Sequence, residues 1–173
     1  MQAISPILAH LTWTREDLID AASVVPESHW KRRPREEAWS AAEVIAHVTI
    51  VEQTIVERAS KGVQKPPKIV PFWRRLHLPL ALATWRGIKR KTPIPLDAAL
   101  VADRQPAFDR LAEARKTTLE FVEATRDRDL GEYRFPHPFF GNLDVYEWLR
   151  MIGYHDVRHA KQVREIVQTF RHQ

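Results

Sequence analysis

His155 and His159 stand four residues apart in the stretch Tyr154-His155-Asp156-Val157-Arg158-His159-Ala160-Lys161-Gln162, within a segment of helical periodicity near the C-terminus. On a helix that spacing puts both imidazoles on one face, about 6 Å apart along the axis, close enough to converge on one divalent ion. A tetrahedral catalytic site takes three protein ligands and leaves a fourth direction for water or substrate. The third ligand must come from another element. His47, on the apolar stripe of an earlier helical segment, is the candidate.

A single histidine on an apolar face is more often a hydrogen-bonded core residue than a ligand. Three together change that balance: burying three imidazoles is costly unless each has a partner, and a divalent ion binds them in the neutral form and offsets the desolvation. The pair has the spacing of a zincin helix but carries Asp156 where a zincin has its glutamate base, which disfavours a metalloprotease. Asp156 retains three readings: support for a ligand beside the metal, an ion pair with Arg158 or Lys161, or plain solvation. Gln162 lies three residues after His159 on the same side and can bond a ligand ring or an ion-bound water, or simply sit at the bundle rim. His137, between two prolines, reads as a surface turn residue, and His10, His29, His77 and His172 have no spacing partner. Glu43, four residues before His47, is explained by a helix cap instead of by ligation.

The elements that must position these residues are helical. Ser5-Pro6 reads as a cap followed by proline in the first turn, and Ile4, Leu8, Leu11, Leu18, Ala22 and Val25 carry a first helix to about Val24. Prolines and charges interrupt the pattern from Pro26 to Trp39, although Trp30 and Trp39 should pack inward. Ser40 and Glu43 form a capping box, with Trp39 and Val44 as its hydrophobic staple, and the second helix follows with Val44, His47, Val48, Val51 and Ile55 inward. A third helix is predicted from a cap at Asp103 to near Asp127, with Phe108, Leu111, Thr118, Leu119 and Val122 buried. Pro136-His137-Pro138-Phe139-Phe140-Gly141 predicts an extended turn. Asp144 with Glu147 then caps a fourth helix over Val145 to Thr169, whose inner face is Val145, Leu149, Ile152, His159, Val163, Ile166 and Phe170. Four amphipathic segments without an internal repeat predict an all-α four-helix bundle.

A chain of 173 residues, 44% hydrophobic, with five glycines, predicts one helical domain over residues 1–173. With no cysteine, a disulfide framework, a thiolate metal site and a cysteine nucleophile are excluded, so any thiol in the chemistry arrives as a ligand. No signal-peptide pattern and no apolar run approaching the roughly 18 residues of a membrane span are found, and a soluble cytoplasmic protein is expected. The net charge of +5 is uneven: of 27 basic residues, ten lie from Arg58 to Leu96, where no acidic residue occurs, leaving 17 basic against 22 acidic elsewhere. That Pro-rich, basic insertion, with Trp73 and Trp85, predicts short helices at Pro71 to Leu78 and Leu80 to Lys89 and a lid over an edge or mouth of the scaffold. No nucleic-acid motif accompanies it, so nucleic acid is not the expected partner, and a solvated flap guiding an anionic small-molecule substrate is.

Trp39-Ser40-Ala41-Ala42-Glu43-Val44-Ile45-Ala46-His47, together with His137-Pro138-Phe139-Phe140-Gly141-Asn142-Leu143, Trp148-Leu149, His155, His159 and Gln162, resembles the DinB/YfiT-like superfamily. That resemblance implies a four-helix bundle holding one divalent metal, commonly zinc or nickel, through His47, His155 and His159, and a homodimer. It also implies thiol-dependent transferase or isomerase chemistry with a low-molecular-weight thiol cosubstrate, or a hydrolase. The leading expectation is a metal-dependent enzyme that activates a small thiol for S-transfer. The alternatives are hydrolysis of a small ester or amide, and a non-catalytic metal-binding bundle acting through a partner or nucleic acid.

Overall fold

The computed structural model describes residues 3–67, 69–75, 77–87, 96 and 100–172. Four helices, α1 (Ser5–Ser23), α2 (Ala41–Val63), α3 (Arg104–Ala124) and α4 (Val145–Arg171), form a bundle, with a short hairpin of β1 (Arg134–His137) and β2 (Gly141–Asp144) leading into α4. α4 packs along α1 and α2, and α3 against α2. Among the described residues no helix is long and apolar enough to cross a membrane.

Both capping boxes are present. Glu43 N–H donates to Ser40 Oγ at 3.2 Å while Ser40 N–H donates to the Glu43 carboxylate at 2.8 Å. Asp144 and Glu147 exchange the same two bonds at 2.8 and 2.7 Å at the start of α4. These caps fix where α2 and α4 begin, and hence which of their faces carry His47 and the His155–His159 pair. Of the other two predicted caps, the first shifts by one residue and the second keeps its place without its side-chain bond. Ile4 already has helical dihedrals and its carbonyl accepts from Leu8 N–H, so Ser5 lies inside the first turn of α1. Asp103 is the N-cap of α3, its carbonyl accepting from Ala107 N–H at 2.9 Å, but its carboxylate makes no cap bond and pairs with Lys31 at 2.6 Å.

The apolar core divides into two clusters. One gathers Ile7, Leu11, Ile55, Phe121, Leu149 and Ile152; the other gathers Leu18, Val44, Ile45, Leu111, Val163 and Ile166. On every helix a polar residue separates them, so the bundle has a polar waist. Leu119, predicted inward on α3, is exposed: the buried stripe runs through Ala107, Leu111, Ala114, Arg115, Thr118 and Val122, about 100° away on the helix.

The predicted turn at 136–141 is instead the hairpin, with Arg134 paired to Asp144 and His137 to Gly141. Gly141 has φ of 73°, a conformation glycine tolerates without strain. His137 closes the turn: its Nδ1 accepts from Phe139 and Phe140 N–H at 3.0 and 3.2 Å. Phe135 of β1 packs on α2 where Gly62 leaves room, since a Cβ there would lie 2.2 Å from the ring. Gly62→Ala should therefore lower stability by about 1 kcal/mol in urea denaturation, overpacking of about 1–3 kcal/mol exceeding the roughly 1 kcal/mol gained in helix propensity.

Within the spans predicted as short helices the insertion forms 3-10 helices at Phe72–Arg74 and Leu80–Thr84, the prolines at 71 and 79 each preceding one. It is tied to the scaffold by His77, whose Nε2 meets Glu147 at 2.7 Å, and by Asn142, which donates to Arg74 O at 3.4 Å. Lys68, Leu76, the stretch 88–95 with Lys89, Arg90 and Lys91, and 97–99 lie outside the described residues.

Candidate metal centre

His47 comes from the second turn of α2, and His155 and His159 from successive turns of α4. Their candidate ligand atoms all lie within 4.8 Å of one another. His155 and His159 present their Nε2 atoms to each other at 3.1 Å, and the His47 ring centroid is 5.0 Å from each of theirs. Trp39, just before the α2 cap, lays its ring 4.9 Å from that of His47 and walls one side. His47 and His159 are buried and His155 half-buried.

Burial lowers the pKa of His47 from 6.5 to about 4. Burial, reinforced by the neighbouring imidazoles and the Arg158 charge, holds His155 and His159 well below the ordinary histidine range. All three are therefore neutral at pH 7, the form in which imidazole donates a lone pair to a metal. An imidazole with a depressed folded-state pKa takes up its proton preferentially in the unfolded chain, so stability is complete above pH 6.5 and declines as pH falls. For His47 alone the loss between about pH 6.5 and 4 approaches about 3 kcal/mol, and His155 and His159 act in the same direction. Urea denaturation of metal-free protein at pH 7.5 and 4.5 should show that decline, and His47→Gln should lessen it.

Gln162, predicted beside the ligands, is there: its Oε1 lies 2.8 Å from His159 Nδ1. The same oxygen accepts from Arg86 Nη1 at 3.1 Å, while Arg86 Nε and Nη2 grip Glu165 at 2.9 and 2.7 Å. Arg158 donates to the Ala83 and Trp85 carbonyls and Lys161 to that of Thr84 at 3.5 Å. The 83–86 stretch is thus fastened to α4 beside the histidines.

Asp156 is neither solvated nor paired with Arg158 or Lys161, and its carboxylate bonds arginines instead of a histidine ring. It is fully buried in an ion cluster at the waist, accepting from Arg15 Nε at 3.1 Å and Arg115 Nη2 at 3.1 Å. Both arginines also bind Glu52, Arg115 through Nε at 2.7 Å, and Thr118 Oγ1 donates to Glu52 at 2.7 Å. Burial pushes the Asp156 carboxyl up against the pull of the two guanidiniums, whereas for Glu52 burial is outweighed by Arg15, Arg115 and Thr118, which hold it ionised. Arg15, Glu52 and Arg115 were not singled out in the sequence. The available signal was that each lies four residues after a core aliphatic, Leu11, Val48 and Leu111, and so falls on the apolar stripe of its helix. His137 does not join the cluster of three histidines, and Glu43 is held by its cap and by Arg33.

A family model of the DinB superfamily matches residues 10–163. The chain is 31% identical over 137 residues to the uncharacterized protein YuaE of Bacillus subtilis (strain 168), a match covering 78% of this chain and 81% of that protein. Among solved structures it is similar to TT2238, a four-helix bundle protein, with a TM-score of 0.61 at 21% identity, over 94% of this chain and 99% of that one. With the bundle, the three-histidine cluster and a family match spanning most of its length, the chain belongs to the DinB superfamily.

Proposed function

We propose that the protein is a divalent-metal-dependent enzyme that activates a small thiol for transfer to an electrophile, with His47, His155 and His159 holding the ion. The observation that carries this reading is the convergence of three neutral imidazoles, two of them with Nε2 atoms 3.1 Å apart. Two nitrogens bound tetrahedrally to zinc at 2.0–2.1 Å would be separated by about 3.3 Å, so the His155–His159 pair is spaced for such an ion, and His47, with its ligand atom within 4.8 Å of theirs, would complete the set. Zinc or nickel suits imidazole ligands. A bound ion would lower the pKa of a thiol or water brought to its remaining position and so supply a nucleophile near neutral pH.

The chain's own residues supply the rest. Gln162 fixes the His159 ring from behind. Trp39 shields His47 from water. Arg158, and Arg86 with Glu165 as its counter-ion, put guanidinium groups beside the centre, which favours a thiol bearing carboxylates or another anionic small molecule. The absence of cysteine means that the thiol is a cosubstrate and not a side chain.

Metal-loaded protein should be incubated with an electrophile, with and without a panel of low-molecular-weight thiols. Turnover that requires a thiol supports S-transfer. Turnover of a small ester or amide without thiol assigns a hydrolase instead, and stoichiometric metal without either activity assigns a binding module.

A further inference from the structure

We propose that Arg86, although it belongs to the irregular insertion, is a positioning residue for the histidine centre, selecting the tautomer of His159 through the side-chain amide of Gln162. The functional meaning of this rests on the reading that the three histidines hold a metal; the structural selection itself does not.

Which atoms can donate decides how the His159 ring and the Gln162 amide are oriented. His159 Nε2 faces His155, so its other nitrogen, Nδ1, meets Gln162 at 2.8 Å. A side-chain amide has an oxygen that only accepts and a nitrogen that only donates, and the two ends have nearly the same shape. With the oxygen inward, His159 carries its proton on Nδ1 and turns the lone pair of Nε2 toward His47 and His155. With the amide flipped, NH2 would face Nδ1, the proton would move to Nε2, and an N–H would point into the centre where a ligand lone pair is needed.

Nothing in Gln162 alone chooses between these states. Arg86 does, because a guanidinium has donors and no acceptor, and its Nη1 lies 3.1 Å from the same amide oxygen. Only the oxygen satisfies both neighbours. Arg86 is in turn immobilised by the two-pronged contact with Glu165, three residues beyond Gln162 on α4, at 2.9 and 2.7 Å. The insertion therefore reaches His159 through the Gln162 amide oxygen, and the state of the 83–86 stretch and the readiness of His159 to bind a metal are linked.

The test uses the full-length chain in two arms. In metal-free protein, long-range 1H–15N NMR of the His159 ring should report a single Nδ1–H tautomer, and Arg86→Met, which keeps the aliphatic stem, should convert it to a mixture. In the second arm, Co(II) affinity should fall about tenfold in Arg86→Met, within the range known for loss of a partner behind a ligating histidine, with a changed d–d spectrum. Gln162→Glu supplies the decisive control. A carboxylate presents oxygen whichever way it turns, so adding Arg86→Met to that background should leave the tautomer single. An unchanged tautomer and unchanged Co(II) affinity in Arg86→Met, even with lower thermal stability, would reduce Arg86 to a fastening for the insertion and overturn the proposal. So would an equal loss in the Gln162→Glu background. Wild-type protein that binds no Co(II) would defeat the metal reading alone, leaving the NMR arm to decide the role of Arg86.

Discussion

Alanine at His47, His155 or His159 should each abolish stoichiometric binding of a divalent ion. Loss of a residue that merely supports a ligand lowers metal affinity by about 10–100-fold, and removing one of three ligands should exceed about 100-fold. Elemental analysis of purified protein and titration with zinc or nickel measure this directly. Metal bound only by the folded state adds stability of about 2.7 kcal/mol at a hundredfold excess over its dissociation constant, and this increment should vanish in all three variants. The metal-free variants should lose much less, because each substitution also removes a buried imidazole. Equal loss from residues on α2 and α4 is the signature of one shared site. Unchanged metal content in both His47→Ala and His159→Ala would rule the triad out.

The second large effect lies at the waist. Asp156 and Glu52 are 0% and 1% exposed and share Arg15 and Arg115, so neutralising either carboxylate leaves positive charge buried without its counterpart. Breaking a buried pair from one side costs about 3–5 kcal/mol. Asp156→Asn and Glu52→Gln should each fall in that range by urea denaturation. The double variant Arg15→Met with Asp156→Leu removes one charge of each sign and should cost less than the sum of its two single changes. Strict additivity would mean that the two residues do not act as a pair. Because Asp156 follows His155 directly on α4, Asp156→Asn should also weaken metal binding without touching a ligand.

Which parts of this were legible in sequence follows from how local each signal is. The two capping boxes depend on residues three apart, so the starts of α2 and α4 could be read to the residue, and with them the inward placement of His47 and His159. The hairpin was hidden by Pro136 and Pro138, which read as breakers, while its pairing uses only four residues a side. The true partners of Asp156 were in none of the three readings its sequence neighbours offered, because they are 141 and 41 residues away on other helices. Arg86 was less legible still. It lies in a segment without periodicity, and its contact with Gln162 spans 76 residues.

The waist also bears on how the bundle comes apart. Each helix contributes one member, Arg15 from α1, Glu52 from α2, Arg115 from α3 and Asp156 from α4, so the signs alternate along the chain and removing any one helix leaves a net charge. A three-helix intermediate would hold an uncompensated ion in its interior, a state disfavoured by several kcal/mol. Partial openings that release one helix are therefore suppressed. In native-state hydrogen exchange the slowest amides of all four helices should share a single opening free energy, as one cooperative unit.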